Sequence, residues 1–548
     1  MKKSTQKLKK ITRVLFGRTA FVIIAILMQF AFFFILINWL YRYSVLIHLL
    51  FVLLGMFVVI HIFNEDTNSA FKMAWIIPVL IIPIFGTMIY VFVNLQLGTK
   101  IMRSRLASID KQLHEKAKTS DAVLEKLKSE LHGERGLASY LHNAGDFPAY
   151  YDNDIEFFPL GEFKFEEMKK QLMAAEKFIF MEYFIVTDSY MWRSILDILK
   201  LKASQGVEVR FMYDGMCSLA LLPYGYYKEL ENMGIKSRPF SQIKPVLSTV
   251  QNNRDHRKIL IVDGKTAFTG GINLADEYID KLDRFGHWKD TAVMVKGDAV
   301  KSFTYMFLKM WNVAGKNDRI EQEEIDNYII NFDKDECLND FDLKNELIRS
   351  NGYVIPYGDS PFSSERIGKR VYIDILNRAQ RYVHIMTPYL ILDDEMIAAL
   401  RYCAARGVET TIIMPHIPDK VYAYLLARTY YPELIKHGVN IYEYTPGFVH
   451  AKEFISDDCR ATVGTVNLDF RSLYLHFECG AYIYKNDVVA DIENDYQKTL
   501  EKCQKITEED CKKYPWHKKL IGQILRLLAP LMSVSYTHLR AHETDSYL

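Results

Sequence analysis

Cysteine is scarce: seven residues in 548, namely Cys217, Cys337, Cys403, Cys459, Cys479, Cys503 and Cys511, an odd number with no CxxC pair. Neither a disulfide framework nor a zinc cage is suggested. An excess of one charge is missing too. Lys+Arg total 68 and Asp+Glu 67, a formal net charge of +1. The basic surplus of a dedicated nucleic-acid binder is therefore absent, and no nucleic-acid partner is expected. Disorder is excluded from the other side, because 49% of the residues are hydrophobic and 13% aromatic. At about 150 residues per domain, the length predicts three or four units.

Charge is unevenly placed. No charged residue occurs in the 23 positions between Arg18 and Arg42, the 22 between Arg42 and Glu65, or the 27 between Lys72 and Lys100. A bilayer core needs roughly 20 apolar residues as helix, so each gap is long enough to span, and a signal peptide would be shorter. The lysines and arginines before the first gap predict a cytoplasmic N-terminus, whereas Lys100, Arg103, Arg105 and Lys111 pull the far end inside as well. Pro78, Pro83 and Gly86 interrupt the third segment, which reads as a crossing or a re-entrant piece. His48 and His61, within the second segment, fit either a proton relay or neutral histidines meeting a neighbouring helix.

Beyond this region short apolar runs alternate with amphipathic stretches, and the succession recurs. KFIFMEYFIV, VEVRFMYD and KILIVDG read as strands, as do the later RYVHIMTPYLIL and VETTIIMP. The pattern predicts an α/β fold of two similar lobes, mixed sheets flanked by helices, after an N-terminal helical membrane anchor. The expected units are 1–98 as anchor with two or three spans, 99–143 as helical connector with a solvated charged face, and 144–320 as first lobe. An acidic linker follows at 321–345, then the second lobe at 346–510 and an amphipathic helix at 511–532. This helix suits either an anionic bilayer or packing against the lobes. Residues 533–548 fit no pattern and read as appended non-native sequence. The apolar stretch GMCSLALLPYGYY reads as a pocket cap, a piece entering the interface, or ordinary packing.

The repeat is sharpest in RDHRKILIVDGKTAFTGGIN and GFVHAKEFISDDCRATVGTVN. His256, Lys258, Asp263, Gly270 and Asn273 recur as His450, Lys452, Asp457, Gly464 and Asn467, each displaced by 194 residues. One H-x-K-x4-D should occur by chance under about 0.1 times in such a composition, so a matched pair is not coincidence. On a strand, His256 and Lys258 share a face, as do His450 and Lys452. Two facing lobes would set two imidazoles on opposite sides of one pocket, with ammonium and amide groups to neutralise phosphate oxygens. That arrangement suits in-line displacement at phosphorus.

These residues resemble the paired HKD motifs of the phospholipase D superfamily, and with the hydrophobic N-terminus the chain is similar to bacterial membrane cardiolipin synthases. The likeness runs from the second hydrophobic segment to about residue 505, through MEYFIVTD, MYDG, GGINLADEY, WKDT, TPYLILDD and NLDFRS. It implies a multi-pass enzyme of the bacterial cell membrane that uses phosphatidylglycerol as donor and acceptor, without cofactor or metal. It also implies a phosphatidyl-histidine intermediate, with His256 as nucleophile and His450 as acid and base; the sequence equally permits the reverse. Lys258, Lys452, Asn273 and Asn467 would hold phosphate oxygens. Asp290 and Glu478 match the acidic residues that accept the histidines' other ring proton. Asp263 and Asp457 belong to the catalytic set with an orienting role, or serve as turn formers. His476 stands where asparagine is common and Thr465 where serine is; neither is expected to touch the matched set. The rival readings are a hydrolytic phospholipase D, a superfamily nuclease and an inactive membrane scaffold.

Overall fold

The computed structural model describes residues 18–43, 45–94, 97–114, 123, 125–126, 135–217, 221–242, 252–329 and 352–535. The first sheet contains β1 (Asp154–Phe158), β2 (Phe178–Tyr183), β3 (Glu208–Asp214), β4 (Lys236–Phe240), β5 (Ile259–Val262), β6 (Thr266–Gly270) and β7 (Ala292–Lys296). Their order is β1-β7-β6-β5-β2-β3-β4. The second sheet contains β8 (Tyr353–Asp359), β9 (Tyr382–Met386), β10 (Glu409–Pro415), β11 (Asn440–Tyr444), β12 (Glu453–Ser456), β13 (Arg460–Gly464) and β14 (His476–Tyr484). Their order is β8-β14-β13-β12-β9-β10-β11, the same path. The duplication read from the sequence is thus a duplication of topology. Strands β2, β3 and β4 are parallel, as are β9, β10 and β11. The first two strands of each trio are joined by a helix, Tyr190–Ser204 or Asp394–Ala405, because parallel neighbours need a crossover.

The two sheets bury a core between them. In β2, Phe178 and Phe180 enter that shared core while Ile179 and Met181 face the first lobe's helices, the two-residue period of a strand buried on both sides. Ile413, Ile455, Val463 and Ile483 complete the core from the second sheet. The mixed α/β class and the two similar lobes are as expected.

The linking segments depart from their expected limits. In the helix Leu97–His114, Leu106, Ile109 and Leu113 are buried in the shared core, so the connector is docked and not wholly solvated. The helix Arg135–Gly145 packs through Leu137 and Leu141 on the second lobe. Tyr150–Tyr151 then pairs with β8, so residues 135–151 precede the first lobe in sequence yet pack with the second. The helix Gln322–Tyr328, at the start of the acidic linker, is tied to the first lobe by Glu324 and Arg210 at 2.5 Å; residues 330–351 lie outside the described residues. Cys217 and Leu222 of the apolar stretch after β3 are buried in the first lobe, which is ordinary packing; residues 218–220 lie outside the described set.

Near the N-terminus, Arg18–Tyr43 and Val45–Asn64 are helical. The third apolar segment is divided into Ser69–Ile81 and Pro83–Asn94, which fold back on each other at Ile82. Gly86 makes the reversal possible: a Cβ there would lie 2.4 Å from the Pro78 carbonyl oxygen. The segment is therefore a hairpin of two helices and not one straight helix. Among the described residues one helix, Pro83–Leu113, is long and apolar enough to cross a membrane, fewer than the two or three expected; Leu27–Trp39, Leu49–Asn64 and Ser69–Ile81 are shorter. His61 meets Glu65 at 3.2 Å, and the His48 side chain lies outside the described residues. The C-terminal helix runs from Trp516 to Ser535, past its expected end at 532; residues 536–548 lie outside the described set.

Candidate active site

Two short strand pairings tie the lobes together, and each ends on a histidine. Arg254–Asp255 of the first lobe runs parallel to the start of β14, with Asp255 opposite Phe477. The next residues in each strand are His256 and Glu478. Correspondingly, Gly447–Val449 runs parallel to His287–Lys289, with Val449 opposite Lys289, and the next residues are His450 and Asp290. The His256 amide donates to the Phe477 carbonyl at 2.9 Å, and the His450 amide to the Lys289 carbonyl at 2.7 Å. Backbone register thus delivers each histidine to a carboxylate of the opposite lobe. His256 Nδ1 lies 2.9 Å from Glu478 Oε2, and His450 Nδ1 lies 2.6 Å from Asp290 Oδ2.

Both imidazoles line one cavity, together with Asn273 and Asn467. Aromatic rings fix them: Phe184 is edge-on to His256 at 4.8 Å between centroids, and Tyr278 edge-on to His450 at 5.5 Å. Asn273 is held in turn, accepting from the Ile185 amide at 3.0 Å and donating to the Tyr278 hydroxyl at 2.8 Å. Asn467 Oδ1 is buried with no protein partner among the described residues. Lys258 and Lys452 are fully buried, and their ammonium groups donate to the His256 and His450 carbonyls. They lie behind the histidines and do not line the cavity.

The cluster is electropositive and desolvated. Burial, with Lys258, His476 and Lys452 nearby, holds His256 well below the usual imidazole range. Burial and Lys452 push His450 down to about 4 against the opposing pull of Asp290. Both rings are therefore neutral near pH 7. Burial lowers Lys258 to about 8 and Lys452 to about 7. The carboxylates differ. Burial works to raise Asp290, but His450, Lys452 and the Thr291 amide outweigh it and the net shift is downward. Glu478 is raised by burial to about 8 despite Lys258.

Gly271 and Thr465 occupy equivalent positions and explain part of this difference. A Cβ at Gly271 would fall 2.0 Å from Asp290 Oδ1, so glycine is what admits the shorter acid. Thr465 instead donates its hydroxyl to Glu478. Thr465 and His476 both meet Glu478, and the expectation that His476 stands clear of the matched set is corrected, since its ring neighbours that of His256. His476 Nδ1 is 3.7 Å from Glu478 Oε1, and its ring centroid is 5.4 Å from that of His256. The ligand atoms of His256, His476 and Glu478 lie within 4.8 Å of one another, a group with the reach to hold a metal ion.

Asp263 and Asp457 are corrected as well: neither reaches the cavity or a motif histidine. Asp263 adopts φ 53° at the β5–β6 turn and accepts from the Glu176, Lys177 and Phe178 amides at 2.7–2.8 Å. Asp457 does the same at φ 54° for the Gln380, Arg381 and Tyr382 amides, at 2.8–3.2 Å. Six residues stand between each and its histidine, an extended reach of roughly 20 Å. Their work is to fasten the β-turn to the start of β2 or β9. No motif singles out Phe184, Tyr278 or Trp288, the last with its ring centroid 5.5 Å from that of His450. Phe184 lies within MEYFIVTD and Trp288 within WKDT, so the signal was present, but no spacing rule points a ring at a distant histidine.

The chain matches the family model "Cardiolipin synthase, PLD-like domain" over residues 168–311 and 372–500. A second model, "Phospholipase D-nuclease N-terminal", matches residues 53–93. An uncharacterized protein of Streptococcus mutans is 47% identical over 86% of this chain and 99% of that protein. A cardiolipin synthase of Alkalihalophilus pseudofirmus is 31% identical over 88% of this chain and 93% of that one. Among solved structures, the phosphatidylserine synthase of Haemophilus influenzae shares the fold, with a TM-score of 0.52 at 14% identity, over 74% of this chain and 99% of that one.

Proposed function

The chain belongs to the bacterial cardiolipin synthase family of the phospholipase D superfamily, and from that premise we propose that it is a membrane phosphatidyltransferase making cardiolipin from two molecules of phosphatidylglycerol. The observation that carries this reading is the shared cavity, in which each motif histidine is backed by a carboxylate of the other lobe. With Nδ1 directed at a carboxylate, a neutral ring keeps its lone pair on Nε2 for the substrate.

In the first step His256 Nε2 attacks the phosphorus of phosphatidylglycerol. The bond to the glycerol oxygen breaks, and the departing alkoxide takes its proton from His450, which is neutral in the free enzyme and takes up a proton from water as the anionic phosphodiester binds beside it. In the second, neutral His450 removes the proton from a headgroup hydroxyl of another phosphatidylglycerol. That oxygen attacks the phosphatidyl-histidine, His256 departs, and cardiolipin is formed. Asn273 and Asn467 hold the non-bridging oxygens, and Lys258 and Lys452 supply positive charge from directly behind. Asp290 and Glu478 orient the rings. One phosphodiester replaces another, so no nucleotide enters the balance.

The apolar N-terminal helices serve as an anchor in the bacterial cell membrane, among them the one described helix long and apolar enough to cross. One reacting lobe begins at Asp154–Phe158 and runs to about residue 320; the other takes in residues 135–151 together with 352–510. Purified full-length protein incubated with phosphatidylglycerol alone tests the reading by mass spectrometry of the lipids. Cardiolipin plus glycerol is expected. Phosphatidic acid plus glycerol would make the protein a hydrolase, and no turnover would favour a scaffold.

A further inference from the structure

The C-terminal helix Trp516–Ser535 is apolar on two opposite sides. Its inner face, Gly522, Leu525 and Ala529 at helical spacing, lies against the second lobe. Gly522 approaches the helix Val421–Ala427 so closely that a Cβ would fall 2.7 Å from the Leu425 carbonyl oxygen. The outer face carries Trp516, Leu520, Ile524, Leu527 and Leu528, which are 75, 53, 52, 62 and 40% exposed. A helix with apolar residues on two opposite sides requires cover on both.

Three observations identify the cover. The helix packs against Ser69–Ile81, an arm of the N-terminal helical hairpin whose Met73, Leu80 and Ile81 are likewise exposed. The two outward apolar surfaces therefore belong to packed neighbours, one of them in the apolar N-terminal region. Exposed Lys512, Lys513, Lys518 and Lys519 stand at or just before the start of the helix, where they would meet anionic headgroups. On the inner side, Ala529 lines the catalytic cavity beside Ala423, Leu426 and Phe470, an apolar wall on the same space as the histidines.

We propose that this helix lies in the headgroup–acyl boundary of an anionic bilayer, its outer face in lipid and its inner face walling the cavity, so that a phospholipid reaches the histidines laterally from the membrane. The lipid as substrate rests on the phosphatidyltransferase reading; the contact with the bilayer does not.

Full-length protein reconstituted into vesicles of phosphatidylglycerol and dibrominated phosphatidylcholine tests the contact. The emission lost on Trp516→Phe isolates Trp516 by difference, and bromine should quench at least half of it. A difference emission that bromine leaves unchanged overturns the proposal, whether or not the protein turns over lipid. The entry route is tested by Leu520→Asp/Ile524→Asp/Leu527→Asp. Turnover of long-chain phosphatidylglycerol in vesicles should fall at least tenfold, with short-chain, monomerically dispersed phosphatidylglycerol within twofold of wild type. Equal turnover losses on the two substrates, or no loss on vesicles, overturn lateral entry.

Discussion

Asp290 Oδ2 of the first lobe lies 2.6 Å from His450 Nδ1 of the second. The contact crosses the lobe boundary, and it has a mirror in Glu478 and His256. Each half of the duplication therefore holds a histidine that the other half orients. Among the described residues neither motif histidine meets such an acid from its own half, which ties any chemistry here to the assembled lobes.

Asp290→Asn keeps the shape and removes the charge that holds His450 in one tautomer. The expected result is a fall in kcat of at least about 100-fold, with KM and the thermal midpoint little changed. Glu478→Gln should cost less at pH 7, because burial already raises that carboxyl to about 8. Steady-state kinetics of both variants in one detergent system check the ordering. A larger loss at Glu478 would refute the inequality of the two pairs.

The proposed division of labour gives separate signatures to the two histidines. His256→Ala should abolish turnover. His450→Ala should leave a nucleophile without its proton donor, so a phosphatidyl substrate with a good leaving group should accumulate as an adduct on His256. Intact-protein and peptide mass spectrometry reads the adduct. Finding it on His450 in the His256→Ala protein would exchange the roles.

Burial places Lys452 at about 7, so its charge is present below that pH and is lost as pH rises through it. Since kcat/KM reports groups of the free enzyme, it should decline on the alkaline side with an apparent pKa near that of Lys452. Lys452→Arg, which stays protonated, should move that limb upward by at least about one pH unit. A wild-type profile flat from pH 6 to 9 would remove the charge of this lysine from the reaction.

Asp263 is assigned to the fold and not to the reaction. Asp263→Ala deletes the acceptor for three backbone amides and strains a positive φ, and should destabilise the protein by about 1–3 kcal/mol. Asp263→Asn tolerates the backbone and keeps one acceptor oxygen, so its thermal midpoint should fall less. Both should retain near-wild-type kcat per folded molecule below the transition. A large loss of kcat in fully folded Asp263→Asn would return the aspartate to the chemistry.

Much was legible in the chain itself. The constant displacement of 194 residues from His256 to His450 and from Asn273 to Asn467 announced two equivalent lobes, and strand order repeats as that displacement requires. Local rules also worked at Asp263, whose reading as a turn former fits the turn that joins β5 to β6. They misled where a motif letter was taken for a role. Asp263 recurs with the histidine in sequence, but a strand of extended residues carries it to the other end of the sheet. The connector misled in a similar way, because charge on one face of Leu97–His114 says nothing of what buries Ile109 on the other.

What the sequence by itself determined is the repeat, the mixed α/β class, the apolar N-terminus and the identity of the imidazoles, ammonium groups and amides that gather at the site. These are properties of composition, period and spacing, which act within a few residues along the chain. Only the tertiary structure decided that Asp290 serves His450 and Glu478 serves His256, that Thr465 and His476 border that second carboxylate, and that the lysines sit behind the rings. Those relations are fixed by the register of two strand pairs between the lobes. Such a register depends on how whole sheets pack, and no local stretch of the chain encodes it.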